Sequence, residues 1–313
     1  MPYTQRTTTK YDTFLTKFVR AKLLDQLRSG LVSLPAGCAE TETYSVGSND
    51  TYEFPGVADL GVLLQPMADD ITNPPIEKLE SYSISFGTTW YARSVGWTSE
   101  LERTQKFSVS GLVAEKVARD VLLSLDEVAR LSWLAVHAGE KTLGDGTAEL
   151  GTDTLVNAVA LMRSLDIPDI GGYYYLITNP FAVASLQREV GDKAWTEATK
   201  YADPNALMSG VLGEYRGVKL VASSRWLPAG AATSSIGVMV GKSSIAVADL
   251  ASIGTATALP VPSIADPLGL KGVSSWTARL GASPIARQVV QGNAAVAYSH
   301  VKLNIKHVVP ATT

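Results

Sequence analysis

The chain contains few side chains of the kinds that carry out acid–base, nucleophilic or metal chemistry. Its three histidines are His137, His300 and His307, and its one cysteine is Cys38. No two histidines have the spacing of metal ligands on one helix, and none belongs to an HExxH motif. A single cysteine excludes a disulfide framework within the chain and argues against a cysteine-based zinc site. We expect Cys38 to be a small, partly buried residue and His137 to interact with a helix dipole.

Glycine and carboxylate clusters show no catalytic pattern either. Gly144-Asp145-Gly146 lacks both the Lys-Ser/Thr pair of a P-loop and the spacing of GxGxxG, so it is predicted to be a turn. No G-x-S-x-G elbow occurs. Asp69-Asp70 and Glu100/Glu102 are carboxylate pairs without a positioned partner, and such pairs usually lie in loops or caps. We therefore expect no catalytic residue, no metal site and no cofactor.

An aromatic cluster is the remaining candidate for a functional surface. Trp90, Tyr91 and Trp97 lie close together in sequence, with Arg93 between them. Packing within the subunit would account for the cluster, but Trp, Tyr and Arg also dominate the energetics of protein interfaces. Stacking on nucleic-acid bases is a third interpretation, which ranks lowest because few positive residues lie nearby. We predict that these four residues contact a neighbouring subunit.

The composition indicates a folded protein and not a basic nucleic-acid binder. The 313 residues are 46% hydrophobic and 18% charged, enough for one large domain or two lobes. Lys and Arg total 27 and Asp and Glu total 30, which argues against tight nucleic-acid binding by charge neutralisation. The N-terminus lacks the plan of a signal peptide, and no uncharged apolar run reaches the roughly 18 residues needed to span a bilayer. We expect a protein that is made in the cytoplasm and has no membrane partner.

The first predicted elements are a polar N-terminus and a helix. Residues 1–10 are polar, and residues 11–27 have apolar side chains, Phe14 and Phe18 among them, at helical spacings. Little apolar sequence lies next to this helix, so we expect it to pack against the main body or another subunit. Phe14, Phe18 and Arg20 are therefore candidate interface residues.

A hairpin is predicted after an extended segment. Apolar residues alternate with serines over residues 81–86, and a second alternation begins at Tyr91. This pattern predicts a long hairpin with its tip near Gly87–Thr89. An isolated hairpin is only marginally stable in water, so a projecting one implies a partner surface.

The longest helical pattern covers residues 108–138. Its apolar residues form one stripe, and most charged residues lie elsewhere around the helix. Ser108 or Ser110 can cap the start and Gly139 can end the helix. About thirty residues give a length of roughly 45 Å, which suits a structural spine.

The remaining chain predicts a mixed α/β lobe and then returning strands. Asn179-Pro180 is predicted to open an amphipathic helix after an apolar strand. The predicted elements are a helix at 152–164, a strand at 173–178, a helix at 180–190, a short helix at 204–209, strands at 211–215, 217–224 and 236–241, and long strand-like segments at 273–282 and 285–305.

Three stretches in this order resemble the coat proteins of tailed bacteriophages, and in particular the family of N4-like and many actinobacterial phages. They are YYYLITNPFAVASLQREV from residue 173, GEYRGVKLVASSRW from residue 213 and ADPLGLKGVSSWTARLGASPI from residue 265. The resemblance covers about residues 10–305. It implies an α+β protein with the Hong Kong-phage capsid fold, which is shared by tailed-phage coat proteins, encapsulins and the herpesvirus capsid floor.

The resemblance also implies a division of the chain into domains. Residues 1–56 correspond to the N-terminal arm and 57–105 to the region of the extended E-loop hairpin. Residues 106–147 contain the spine helix of the peripheral domain. Residues 148–272 form the axial domain, and 273–313 supply strands that return to the peripheral domain.

By the same resemblance the chain is a major capsid protein. Such subunits form hexamers and pentamers that close into an icosahedral shell around double-stranded DNA, bound without sequence specificity. Portal and scaffolding proteins, and in some phages decoration proteins, are the implied partners. The location would be the virion capsid after assembly in the host cytoplasm.

Two alternatives stay open from the sequence. An encapsulin-like nanocompartment subunit would share the spine and axial lobe, although the polar arm favours a virus. An α/β enzyme or small-molecule binding protein would need a pocket with convergent polar groups, and the sequence shows none. We expect no enzymatic activity.

Overall fold

The computed structural model describes residues 32–42, 51–57, 78, 81–105, 108–189, 214–228, 233–248, 254–258, 268–288 and 296–306. The predicted helices at 11–27 and 204–209 lie outside these residues. The α-helices in the described ranges are α1 (Ser99–Thr104), α2 (Val109–Leu134), α3 (Thr152–Ser164) and α4 (Pro180–Arg188). The strands are β1 (Ala39–Glu42), β2 (Thr51–Val57), β3 (Ser81–Gly87), β4 (Thr89–Thr98), β5 (Lys141–Leu143), β6 (Tyr174–Thr178), β7 (Glu214–Tyr215), β8 (Val218–Ala222), β9 (Ser234–Val240), β10 (Ile245–Ala248), β11 (Gly254–Ala258), β12 (Lys271–Leu280), β13 (Ala282–Pro284), β14 (Ala286–Gln288), β15 (Val296–Tyr298) and β16 (His300–Lys306).

The predicted spine is α2, a helix of 26 residues that is about 39 Å long. Its N-cap is Ser108, whose hydroxyl oxygen accepts a hydrogen bond from the amide of Gly111 at 3.2 Å. The helix ends at Leu134, earlier than expected, because the Ala135 backbone turns extended and its carbonyl bonds the ammonium of Lys302 at 2.6 Å. A side chain from a distant strand thus satisfies a terminal carbonyl that Gly139 was expected to cap.

The apolar stripe of α2 is the centre of the largest core cluster. Members of this cluster recur on the helix at intervals of four residues or twice that, and they are buried. Among them are Val113, Val117, Val121, Leu125 and Trp133. Against them pack side chains of the six-stranded sheet, of β10 and of β12. The predicted periodicity is confirmed, and the stripe is buried on more than one sheet.

A six-stranded sheet forms the body of the lobe, in the order β5-β16-β9-β6-β8-β7. Both faces are buried: Ile177, Val238 and Val240 face the α2 side, whereas Leu176 and Met239 face α3 and α4. This double burial explains why β6 is a nearly continuous apolar run. The helix α4 begins at the predicted position. The Ala182 amide donates a hydrogen bond to Asn179 Oδ1 at 2.8 Å.

The strands β7 and β8 form the predicted pair near Gly217. They are antiparallel, with Tyr215 opposite Val218. Arg216 and Gly217 both have positive φ, 50° and 77°, which is the requirement of a tight turn between two strands. Glycine adopts this conformation without strain, which explains why residue 217 is a glycine.

The predicted hairpin with its tip at Gly87–Thr89 is wrong. The strand β3 pairs along its whole length with β2, and β4 pairs with β12, as Trp90 opposite Arg279 shows. Gly87 and Thr88 therefore carry the chain from one sheet into another. Alternation reports that a strand has one buried face, but it does not identify the strand's partner, and both partners here are distant in sequence.

The sheets also cross two of the predicted domain boundaries. The strand β5 comes from the 106–147 segment, and β16 comes from the 273–313 segment that was expected to return to the peripheral domain. Both lie in the same sheet as β6. Seven register pairs join β16 to β9, so this sheet takes strands from three of the predicted segments. The division into domains stays a prediction.

A matched pair of glycine substitutions tests the packing of β4 on β12. A methyl carbon at Gly272 would lie 2.5 Å from Cε2 of the Trp97 ring, whereas one at Gly96 would meet only the Gly272 carbonyl at 3.6 Å. We expect Gly272→Ala to lower the free energy of unfolding by about 1–3 kcal/mol, as overpacking does. Gly96→Ala should change it much less. Denaturant unfolding of both variants measures the difference, and equal stabilities would contradict this packing.

Candidate assembly surfaces

The strand β4 presents two different faces because successive side chains alternate. Trp90 lies on the side away from α2 and is 62% exposed. The guanidinium of Arg279, its cross-strand neighbour, lies 5.0 Å from the centroid of the Trp90 ring. This cation–π contact orients the ring without burying it. Trp90 is therefore a large apolar side chain held in place on the surface.

The surroundings of Trp90 carry small, exposed side chains. We name this surface the outer sheet face and define it by Trp90, Ala92, Ser94, Val273 and Thr277, all of which are exposed. The strands β4, β11 and β12 that form it contain no Asp or Glu. A surface of small and aromatic side chains without acidic groups offers a second protein a face that is inexpensive to dehydrate.

Tyr91 and Arg93 lie on the opposite face of β4, towards α2. Tyr91 is 39% exposed, and the Arg93 guanidinium contacts Asp120 Oδ1 of α2 at 2.6 Å. The other oxygen of Asp120 accepts a hydrogen bond from the indole of Trp276 at 2.8 Å. Arg93 thus has a partner within the subunit, although its side chain stays 64% exposed and an exposed ion pair contributes little stability.

Trp97 is not a surface residue, and its assignment to the interface is corrected. It is 5% exposed, packs on Gly272 and belongs to the cluster around α2. Its indole N–H donates to Glu102 at 3.1 Å. Trp90 and Trp97 are seven positions apart, and an odd separation in a strand places two side chains on opposite faces.

The remaining interface candidates, Phe14, Phe18 and Arg20, lie outside the described residues. The chain that follows them is fixed at Ser33, which is fully buried. Its amide donates to Asp126 Oδ1 at 2.7 Å, and its carbonyl accepts from the indole of Trp133 at 2.9 Å. Its hydroxyl accepts from the indole of Trp226 at 3.1 Å. We name these four residues the Ser33 clamp.

Cys38, His137 and His300, which were considered for chemistry, are buried or hydrogen-bonded within the subunit. Burial raises the pKa of the Cys38 thiol to about 12, so the reactive thiolate is scarce. His137 lies beyond the end of α2, with Nε2 3.2 Å from the Ser132 carbonyl oxygen. His300 is fully buried beside Glu140. Within the described ranges no group of three His, Cys, Asp or Glu side chains could hold a metal ion.

None of the helices in the described part of the chain combines the length and the apolar character needed to cross a bilayer.

Solved structures with a similar fold come from phage heads. The chain matches a chain from the capsid of Ralstonia phage GP4 with a TM-score of 0.64 at 12% identity, covering 88% of this chain and 89% of that one. The head structure of Helicobacter pylori bacteriophage KHP40 gives a TM-score of 0.61 at 15% identity, covering 86% and 90%. The Cyanophage Pam1 capsid asymmetric unit gives 0.61 at 13% identity, covering 87% and 91%.

The fold is the phage capsid fold. The prediction of an α+β capsid fold is confirmed, and the match spans most of the chain on both sides. No protein-family model and no curated protein matches the sequence. Similarity to the N4-like coat proteins therefore stays a prediction.

Two functional features of this capsid fold were not found from the sequence. Arg279 stacks on Trp90 from a position 189 residues away, as the cross-strand register shows. Ser33 and Asp126 are polar residues at buried positions, and nothing local marks them as such. The odd spacing of Trp90 and Trp97 is the one signal that could have separated surface from core.

The Ser33 clamp gives a stability prediction. Asp126→Ala leaves the Ser33 amide buried without its acceptor, which should lower the free energy of unfolding by about 1–3 kcal/mol. Asp126→Asn keeps an acceptor oxygen in place and should lower the free energy of unfolding less. Thermal unfolding compares the two variants with the unaltered chain. Equal losses for Asn and Ala would show that the hydrogen bond to Ser33 is not what matters.

Proposed function

We propose that this chain is a major capsid protein that assembles through hexamers and pentamers into an icosahedral shell around phage double-stranded DNA. The observation that carries the proposal is the capsid fold over most of the chain, matched in several phage heads. Identity is 10–15% in these comparisons, so the assembly itself has to be tested. On this proposal the protein is structural and has no catalytic role.

The outer sheet face supports the proposal because it suits a contact between subunits. A Trp held at 62% exposure gains from burial at roughly 25 cal/mol per Å² of apolar area covered, and shell closure would repeat that gain in every subunit. Arg279 holds the ring, so little side-chain entropy is lost on contact. We propose Trp90, Tyr91 and Arg93 as contact residues, together with Phe14, Phe18 and Arg20 of the arm.

The charge of the chain is compatible with a wall around DNA. Lys and Arg total 27 against 30 for Asp and Glu, so the subunit lacks the excess of positive charge that strong DNA binding requires. A neutral wall leaves the packaged DNA free to slide. Portal, scaffolding and decoration proteins, assembly in the host cytoplasm and residence in the virion belong to the same proposal.

An enzymatic alternative finds no support in the described residues. One pocket beside the end of α2 is lined by Glu140, Thr142, Lys302 and Asn304 among apolar residues. Its two ionisable groups, Glu140 and Lys302, are paired with each other at 2.7 Å. Neither is therefore poised to act on a substrate. An encapsulin-like shell is the other alternative, and assembly experiments have to distinguish it from a phage capsid.

Electron microscopy of the purified full chain tests the proposal directly. We expect closed shells of uniform size or capsomer rings in negative stain. Deletion of residues 1–30 should reduce the yield of shells and should have a smaller effect on the folding of the subunit. A compact monomer at high concentration, with no rings or shells under any condition that keeps it folded, would contradict the proposal.

A pair of tryptophan variants on one strand separates assembly from folding. Trp90→Ala should leave the free energy of unfolding within about 1 kcal/mol, as exposed substitutions usually do, but should reduce the yield of shells. Trp97→Ala should lower the free energy of unfolding by about 3–5 kcal/mol because it leaves a cavity in the core. Unfolding curves and particle counts are measured for both. Normal assembly by Trp90→Ala would remove the outer sheet face from the interface.

A further inference from the structure

A buried ionic cluster lies where the end of α2 meets the six-stranded sheet. We name Glu140, His300 and Lys302 the junction cluster; their side chains are 5%, 0% and 6% exposed. Glu140 comes just before β5, and the other two belong to β16. Charged groups are almost never buried to this degree unless they are paired, so the arrangement depends on its internal balance of charge.

The cluster attaches the end of the helix to the sheet by direct bonds. The Lys302 ammonium donates to the Ala135 carbonyl at 2.6 Å and lies 2.7 and 2.8 Å from the two Glu140 carboxylate oxygens. His300 Nε2 lies 2.8 Å from Glu140 Oε1. Glu140 also accepts the His137 amide at 3.2 Å, which closes the turn after α2. Every bond in this attachment passes through Glu140 or Lys302.

The charge of the cluster is balanced only while His300 is neutral. One carboxylate then faces one ammonium, and the imidazole donates its Nε2 hydrogen to Glu140. His300 Nδ1 is buried and has no hydrogen-bond partner among the described residues. The imidazole ring contacts Trp133 and Tyr298, with centroids 5.1 and 5.4 Å away.

The other groups around His300 cannot balance a second positive charge. His137 packs on the Tyr298 ring at 5.6 Å, and an imidazole has no form that supplies a negative charge here. Burial and the Glu140 charge raise the pKa of Tyr298, so its hydroxyl stays protonated. A proton on His300 would therefore place a second cation beside Lys302 with one carboxylate to serve both.

We propose that the junction cluster is an acid-sensitive latch: a proton taken up at His300 loosens the attachment of the C-terminal end of α2 to the six-stranded sheet. A pocket lies beside the cluster; Glu140, Lys302 and the 94% exposed Val136 are among the residues that line it. The latch belongs to the folded subunit, so it does not depend on the shell.

The direction of the pH effect follows from the charges. Burial lowers the pKa of His300 below its ordinary value of 6.5, so the opened junction binds a proton at a higher pH than the closed one. Stability is then complete above that ordinary value and falls as the pH drops below it. Burial raises the pKa of Glu140, but hydrogen bonds from His300 and Lys302 lower it overall from 4.5. Its contribution is lost at still lower pH, in the same direction.

Amide hydrogen exchange of the full chain between pH 7.5 and pH 5.0 tests the latch. After correction for intrinsic rates, opening at residues 133–143 and 296–306 should increase by up to about tenfold per pH unit below 6.5, because one proton is taken up. Peptides from β2 and β3, whose buried side chains belong to a separate cluster, serve as an internal control and should not change. Corrected rates that do not depend on pH at the junction would overturn the proposal.

Two imidazole variants assign the effect to one residue. His300→Gln keeps a donor near Glu140 but cannot take up a proton, so the pH dependence at the junction should disappear. His137→Gln is the matched control and should retain it. If exchange at the junction still depends on pH in His300→Gln, the proposal is also overturned.

A spectroscopic signal covers the case in which His300→Gln does not fold. A protonated imidazole quenches a neighbouring indole, and Trp133 lies next to His300. The emission of the unaltered chain minus that of Trp133→Phe should fall as the pH drops below 6.5. A difference signal that is constant from pH 7.5 to pH 5.0 would show that His300 takes up no proton in the folded chain.

Discussion

The apolar stripe of α2 has to be covered by two sheets at once, and the other packing in the subunit depends on this requirement. Val117, Val121 and Leu125 are within 1% of full burial. Ile177 and Val238 of the six-stranded sheet and Trp276 and Leu280 of β12 belong to the same buried cluster as these three residues. Neither sheet can move away from the helix without exposing apolar area that both share, at roughly 25 cal/mol per Å².

Polar bonds fix the register of α2 within this apolar contact. Asp120 ties it to β4 and β12, Asp126 to the chain at Ser33, and the Ala135 carbonyl to Lys302 of β16. Apolar packing tolerates small sliding motions, but a buried polar atom such as the Ser33 amide costs about 1–3 kcal/mol when it loses its partner. The three attachments lie along most of the helix, so they define a single position for it.

The division between surface and core on β4 shows where sequence reasoning succeeded and where it failed. The cluster of Trp90, Tyr91, Arg93 and Trp97 was found by composition, because large aromatic and arginine side chains concentrate interface energy. The structure leaves Trp90 exposed and buries Trp97, so one cluster in sequence becomes two sites in space. Strand parity alone predicts the separation, but only the pairing with β12 decides which face meets α2.

The sequence by itself determined the helices α2, α3 and α4, most of the strands that the structure describes, the α+β capsid fold and the lack of a recognisable catalytic motif. These features follow from local periodicity, from caps such as Ser108 and Asn179, and from the order of three recognisable stretches. The tertiary structure alone decided that β3 pairs with β2, that β16 enters the six-stranded sheet, and that Glu140, His300 and Lys302 meet. Those outcomes join residues up to 162 positions apart. Local pattern specifies which face of an element is apolar, whereas the partner of that face is selected by the packing of the whole chain.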